Sequence, residues 1–168
     1  MGPLLFSPQT SERTPDSTTP APPGAPLRPP LTRVVLMGGT PDDRLLLRGL
    51  LRLHRHRVAA EIPAVDALRD LVPSDERKVL IFQVDPTGAG WCDDLAAALA
   101  RDRSMVAVVL TRARSPEFDR RATGAGARAV LQRPFTVRDL VATVEAVGRG
   151  ENLLGTPALR DSEEARQG

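Results

Sequence analysis

Short apolar runs alternate with amphipathic stretches from Arg33 to Gly150. Arg33–Met37 (Arg-Val-Val-Leu-Met) is a compact apolar run, the pattern of a strand covered on both faces, and it ends at Gly38-Gly39. Thr40-Pro41-Asp42-Asp43 then combines a capping residue, a proline at the first helical position and acids in the first turn, which predicts a helix start. That helix carries Leu46, Leu50 and Leu53 on one side, with Leu47 and Leu51 beside them. A second strand is expected over Arg57–Ile62 and a short second helix over Ala64–Leu71, with Val65, Leu68 and Leu71 inward. Lys78–Gln83 reads as the third strand, a third helix runs from Trp91 to Ala100, and Met105–Leu110 is the fourth strand. Ser115-Pro116-Glu117 repeats the helix-start chemistry for a fourth helix ending near Gly124. Arg128–Leu131 is the fifth strand. The last helix has an apolar stripe of Val137, Leu140, Val141, Val144 and Val147, and Gly148 and Gly150 stop it.

Five strands alternating with five helices imply an α/β domain: one parallel sheet covered on both faces. Right-handed crossovers restrict it to a doubly wound sheet, for which the flavodoxin-like (βα)5 order 2-1-3-4-5 is expected. The functional crevice of such a sheet lies beyond the C-terminal ends of strands 1 and 3, here Gly38, Gly39 and residues 82 to 86. The domain spans residues 32–150. Residues 1–31 are a Pro-rich tail expected to be disordered, since the first thirty hold nine of the sixteen prolines and little apolar surface to offset ordering. Residues 151–168 are expected to form a flexible tail, with a short helix around Ala158 to Ala165.

Composition narrows the functional classes. Aromatics are 3% of the chain, with one Trp and no Tyr, leaving little for stacking on single-stranded nucleic acid. The 23 basic and 21 acidic residues leave a net charge of +2, a weak electrostatic footprint, so no nucleic-acid partner is expected. A single cysteine, Cys92, excludes an internal disulfide framework and a cysteine-based zinc site. Its place at the start of the third helix suits packing rather than nucleophilic chemistry. No apolar run is long enough to span a bilayer and the first residues lack a secretory pattern, so the expected compartment is the cytoplasm, without a membrane partner.

The late part of the chain carries a family signature: a strand ending in Thr111, then Gly124-Ala-Gly-Ala-Arg-Ala-Val-Leu-Gln-Arg133-Pro134-Phe135, then an amphipathic helix. With Val65-Asp-Ala-Leu-Arg-Asp-Leu, these segments make residues 33–149 resemble the receiver domain of two-component response regulators. The resemblance implies an aspartate phosphoacceptor ending strand 3, two acids after strand 1 holding Mg²⁺, a Thr or Ser after strand 4 and a Lys after strand 5. Read onto this chain, the acid pair falls on Gly38 and Gly39, and the phosphoacceptor falls on Phe82 or Gln83. Thr111 is retained, and Arg133 takes the lysine place with a planar fork instead of a compact ammonium. Three required carboxylates are absent together. The expectation is therefore a stand-alone pseudo-receiver: no enzyme, no bound Mg²⁺ or other cofactor, acting in bacterial signalling through contact with a protein partner.

Other residues bear on this reading. Asp42 and Asp43 suit the N-terminus of the first helix. Asp85, two residues past Gln83, is the alternative phosphoacceptor of a phosphorylatable receiver, a local turn former before Pro86, or the partner of Arg133 in a latch across the crevice. Gly38-Gly39 opening a helix is a cradle for a small anion or nucleotide in a second alternative, although the dinucleotide fingerprint and the P-loop lysine are missing. Arg44, Arg48, Arg52 and Arg55 form a ridge along the first helix opposite the leucines, a solvated face or the dock of an acidic partner. His54 and His56 beside it lack carboxylates at metal-ligand spacing, so no ligand role follows. Phe118, Arg121 and Arg138 mark the face of the fourth helix, fifth strand and fifth helix as a surface for partners or for a homodimer. Trp91 is expected in the core or at the crevice edge.

Overall fold

A computed structural model of the chain describes residues 31–154. Five strands, β1 (Arg33–Gly38), β2 (Arg57–Ile62), β3 (Lys78–Gln83), β4 (Met105–Thr111) and β5 (Ala127–Gln132), form one sheet in the order β2-β1-β3-β4-β5, every neighbouring pair parallel. Three α-helices stand between strands, α1 (Pro41–Leu53), α2 (Trp91–Arg101) and α3 (Pro116–Gly124), and a fourth, α4 (Val137–Gly148), follows β5. The expected doubly wound, flavodoxin-like fold is the observed one. The second predicted helix differs. Val65–Asp70 is a 3-10 helix of six residues between the extended Ala64 and Leu71, without a side-chain cap at Ala64.

Alternation along the strands divides the core. Val35, Met37, Leu80, Phe82, Ala107 and Val109 face one layer with Leu68, Leu95 and Ala122. Val34, Leu36, Val79, Ile81, Val108 and Leu110 face the other with Leu47, Leu51, Leu140 and Val144. Helix starts follow the sequence chemistry. Thr40 and Thr136 each build a capping box with Asp43 and Asp139, and the Ser115 hydroxyl accepts from the Phe118 amide. On α1 the expected face is displaced: Leu47 and Leu51 are buried, whereas Leu46 and Leu53 are exposed.

At the opposite end of the sheet, the only lysine of the chain is buried. Lys78 Nζ donates to Asp102 Oδ2 at 2.6 Å, while Asp102 Oδ1 accepts from the amide and hydroxyl of Ser104. Burial opposes ionisation of Asp102, but these hydrogen bonds outweigh it and hold the carboxyl below its usual range. The packed region also runs beyond residue 150. The amides of Leu153 and Leu154 donate to the Arg128 carbonyl, and Leu154 is buried against the core. The proline-rich residues 1–30 and the expected helix around 158–165 lie outside the described residues.

Candidate functional site

The C-terminal ends of β1, β3, β4 and β5 open onto a crevice of about 460 Å³, lined among others by Gly39, Asp43, Gln83, Asp85, Thr111, Arg112 and Arg133. Register explains which side chains reach it. Gly38 pairs with Gln83 across β1 and β3, so Gln83 ends its strand at the crevice, whereas Phe82 points into the core at 5% exposure. Of the two positions expected for the phosphoacceptor, Gln83 is the one that lines the crevice.

A hydrogen-bonded bridge spans this crevice. Arg133 Nη1 donates to Asp43 Oδ1 at 3.1 Å, and Nη2 donates to Gln83 Oε1 at 2.8 Å. Its guanidinium also stands 5.8 Å from the Phe135 ring centroid. One side chain from the β5 end thus ties the α1 N-terminus to the β3 end. The Thr40 hydroxyl does most to hold the Asp43 carboxyl below its usual range; the Thr40 amide and the Arg133 charge add to this against the cost of burial. The expected latch has the right arginine and the wrong acid. Asp85 is exposed and turns inward on its own loop, accepting at Oδ1 from the Thr87 amide (3.0 Å) and hydroxyl (2.7 Å). These bonds, amide first, lower its pKa. Asp43 was legible as a helix-start acid; no local signal in the sequence marked it as the partner of Arg133.

Gly38 and Gly39 lie at φ +71° and +69°, a conformation that side chains rarely adopt. A Cβ at Gly38 would come within 2.6 Å of the Gln83 carbonyl oxygen, and one at Gly39 would collide with the Gln83 side-chain amide. The carbonyls of both glycines accept from Arg44 Nη1, at 3.1 and 2.7 Å. Thr111 is buried, and its hydroxyl donates to the Ala113 carbonyl at 2.8 Å in a local turn. The adjoining Arg133 amide donates to the Thr111 carbonyl, and the Arg133–Pro134 peptide is cis. Two carboxylates, Asp43 and Asp85, border the crevice, one engaged by Thr40 and Arg133 and the other by Thr87. Among the described residues no group of three or more His, Cys, Asp or Glu gathers as metal ligands. That donor set does not fit Mg²⁺, which wants near-octahedral oxygen ligands and no guanidinium among them.

The expected surfaces are rearranged. The arginine ridge of α1 divides: Arg44 caps the glycine turn, Arg48 donates to Glu61 at 3.0 Å, and Arg52 and Arg55 remain exposed. Phe118 is not a surface residue. It is buried and stacked on Trp91 with ring centroids 4.8 Å apart, because its place one turn into α3 faces the sheet. Arg121 covers Trp91 from outside at 5.3 Å, and Arg138 is exposed. Cys92 is half-buried beside the Arg121 carbonyl. Among the described residues no helix is long and apolar enough to cross a membrane.

No family model matches the chain, and no curated protein matches it. Solved structures do. A pilus assembly-related protein from Burkholderia pseudomallei superimposes with a TM-score of 0.61 at 15% identity, covering 74% of this chain and 94% of that one. A two-component response regulator of the LuxR family from Aurantimonas has a TM-score of 0.60 at 22% identity, covering 81% and 98%. The chemotaxis protein CheY4 of Vibrio cholerae has 0.58 at 20%, covering 70% and 98%. The chain has the fold of response-regulator receiver domains.

Proposed function

We propose that this chain is a pseudo-receiver: a signalling module with the receiver fold that works through contact with a protein partner, without taking up a phosphoryl group and without catalysing a reaction. The observation that carries the reading is the Arg133 bridge to Asp43 and Gln83. Phosphoryl transfer to a carboxylate needs a nucleophilic oxygen and a cation to neutralise the transferring group. At this crevice the strand-3 position is an amide, the strand-1 positions are glycines, and a guanidinium bonded to both neighbouring elements stands between them. The bridge joins three elements in one arrangement, which a phosphoryl group would otherwise have to select. Such a scaffold presents a constant surface to its partner, in the cytoplasm, and the near-balanced charge gives no reason to invoke nucleic acid.

Two other occupants of the crevice are less well supported. Asp85 as phosphoacceptor would have to leave its turn with Thr87 and react without metal ligands beside it. An anion at the Gly38-Gly39 turn would meet the Asp43 carboxylate already seated on the helix start. Incubation with acetyl phosphate and Mg²⁺ followed by intact-mass measurement tests the reading. The expected mass is unchanged. A base-labile gain of one phosphoryl group, absent from Asp85→Asn, would establish the phosphorylatable alternative in its place.

A further inference from the structure

α1 is apolar on both sides. Leu47 and Leu51 settle its inner side at 2% and 0% exposure, yet Leu45, Leu46 and Leu53 on the outer side are 57%, 59% and 79% exposed. They are three of the five large hydrophobic residues that stand exposed among the described residues. Exposed leucines gathered on the outer side of an amphipathic helix, with Asp42 and Arg52 toward its ends, mark a contact surface. At the middle of the outer side is Gly49, where a Cβ would meet nothing within 4 Å. Leu45 and Leu46 lie one turn before it and Leu53 one turn after, so the backbone at Gly49 forms a dent between leucines that a second helix can approach closely.

Charge is divided along the same helix. Asp42 is exposed near its start and Arg52 and Arg55 near its end, and none of the three side chains has a partner among the described residues. Arg44 and Arg48, by contrast, are bonded within the chain. Arg55 also sits at φ +66°, just past the helix end, where the amides of Arg55 and His56 fold back to the carbonyls of Arg52 and Leu51. Glycine is the ordinary residue at that position of a helix stop, so an arginine is held there at a cost in stability.

We propose that α1 is the isologous interface of a homodimer, two copies packing antiparallel across a two-fold axis at Gly49. Positions counted forward from Gly49 in one copy then face those counted back in the other. Leu45 meets Leu53 of the second copy, and Asp42 comes within one residue of the level of Arg55 of the second copy, each contact made twice. A parallel pairing would set Arg52 and Arg55 against their own equivalents, and an acidic partner would leave Asp42 facing like charge. A second copy matches both ends. An apolar groove of about 440 Å³, lined by Leu46, Leu50, Phe135 and Val137, continues the patch toward α4. This self-association is independent of the chemistry of the crevice.

Sedimentation velocity on the full chain reads the dimer constant. Leu53→Asp is expected to weaken association about tenfold or more with an unchanged circular dichroism spectrum, since Leu53 supports no core contact. Asp42→Arg and Arg55→Asp each weaken it as well. An equimolar mixture of these two single variants is expected to form a heterodimer tighter than either variant forms alone, because both cross-contacts regain opposite signs. A chain that stays monomeric at about 100 µM overturns the proposal. So does a dimer indifferent to Leu53→Asp or to mixing the charge variants.

Discussion

A guanidinium offers its donors in a fixed plane, and at Arg133 two arms of that fork reach different elements, Asp43 at the α1 start and Gln83 at the β3 end. A lysine there keeps the charge but offers one compact ammonium on a flexible stem. Arg133→Lys is therefore expected to lose one of the two links. Because the Arg133 and Asp43 side chains are 31% and 23% exposed, solvent screens the pair, and urea unfolding should show a loss of about 0.5–1 kcal/mol. A double-mutant cycle with Asp43→Asn, which keeps the capping geometry, should return a coupling of similar size. Additive effects would mean that the two residues do not act together.

At the scale of elements, Lys78 and Asp102 show how a buried charge depends on its partner. The pair fastens the start of β3 to the turn between α2 and β4, with side chains 6% and 2% exposed. Lys78→Met leaves the Asp102 carboxylate buried with the Ser104 donors alone and is expected to cost about 3–5 kcal/mol, read as a lower urea midpoint at unchanged slope. Asp102→Asn leaves the Lys78 ammonium buried beside an amide whose single oxygen cannot accept from both Lys78 and Ser104, and is expected to cost a similar amount. Elements were legible in the sequence where local chemistry decides them. The run Lys78–Gln83 is a strand, and Thr40-Pro41-Asp42-Asp43 starts a helix through the expected cap. Leu46 and Leu53 stand outward although they share the leucine spacing, because leucines lie on several sides of α1 and spacing alone does not single out the inward face. The segment Val65–Asp70 is legible as a helix but not as a 3-10 helix, because its apolar residues also fit an α-helical stripe. The partners of Arg133 could not be read at all: Asp43 is ninety residues away, and only the closed sheet brings the two together.

The whole molecule should lose stability as the solution is acidified, in two stages. His56 is buried and its pKa is lowered, chiefly by desolvation and slightly by His54, against the pull of Glu145, whose Oε1 lies 3.8 Å from Nε2. With a folded pKa below the ordinary 6.5, the unfolded chain takes the proton first, so stability begins to fall as pH drops below that value. Asp43, Asp102 and Asp139 all have lowered pKa values. What they contribute is present above their ordinary 3.8 and is lost as pH falls through the lower folded values. Thermal unfolding across pH should show both stages, and His56→Gln should flatten the upper one and leave the lower. A melting temperature that climbs between neutral and mildly acidic solution would contradict this assignment.

The glycine turn after β1 bears on whether this crevice can accommodate an acidic pair. An aspartate introduced at position 38 would be forced against the β3 main chain, and one at position 39 would displace the end of the Gln83 side chain, each from a positive-φ backbone that suits neither. Introducing acids by single steps would pass through strained intermediates, so the loop, the β3 terminus and the arginine that bonds to it would have to change as a set. For anyone hoping to re-engineer phosphate chemistry here, grafting the entire junction is a sounder starting point than restoring side chains one by one.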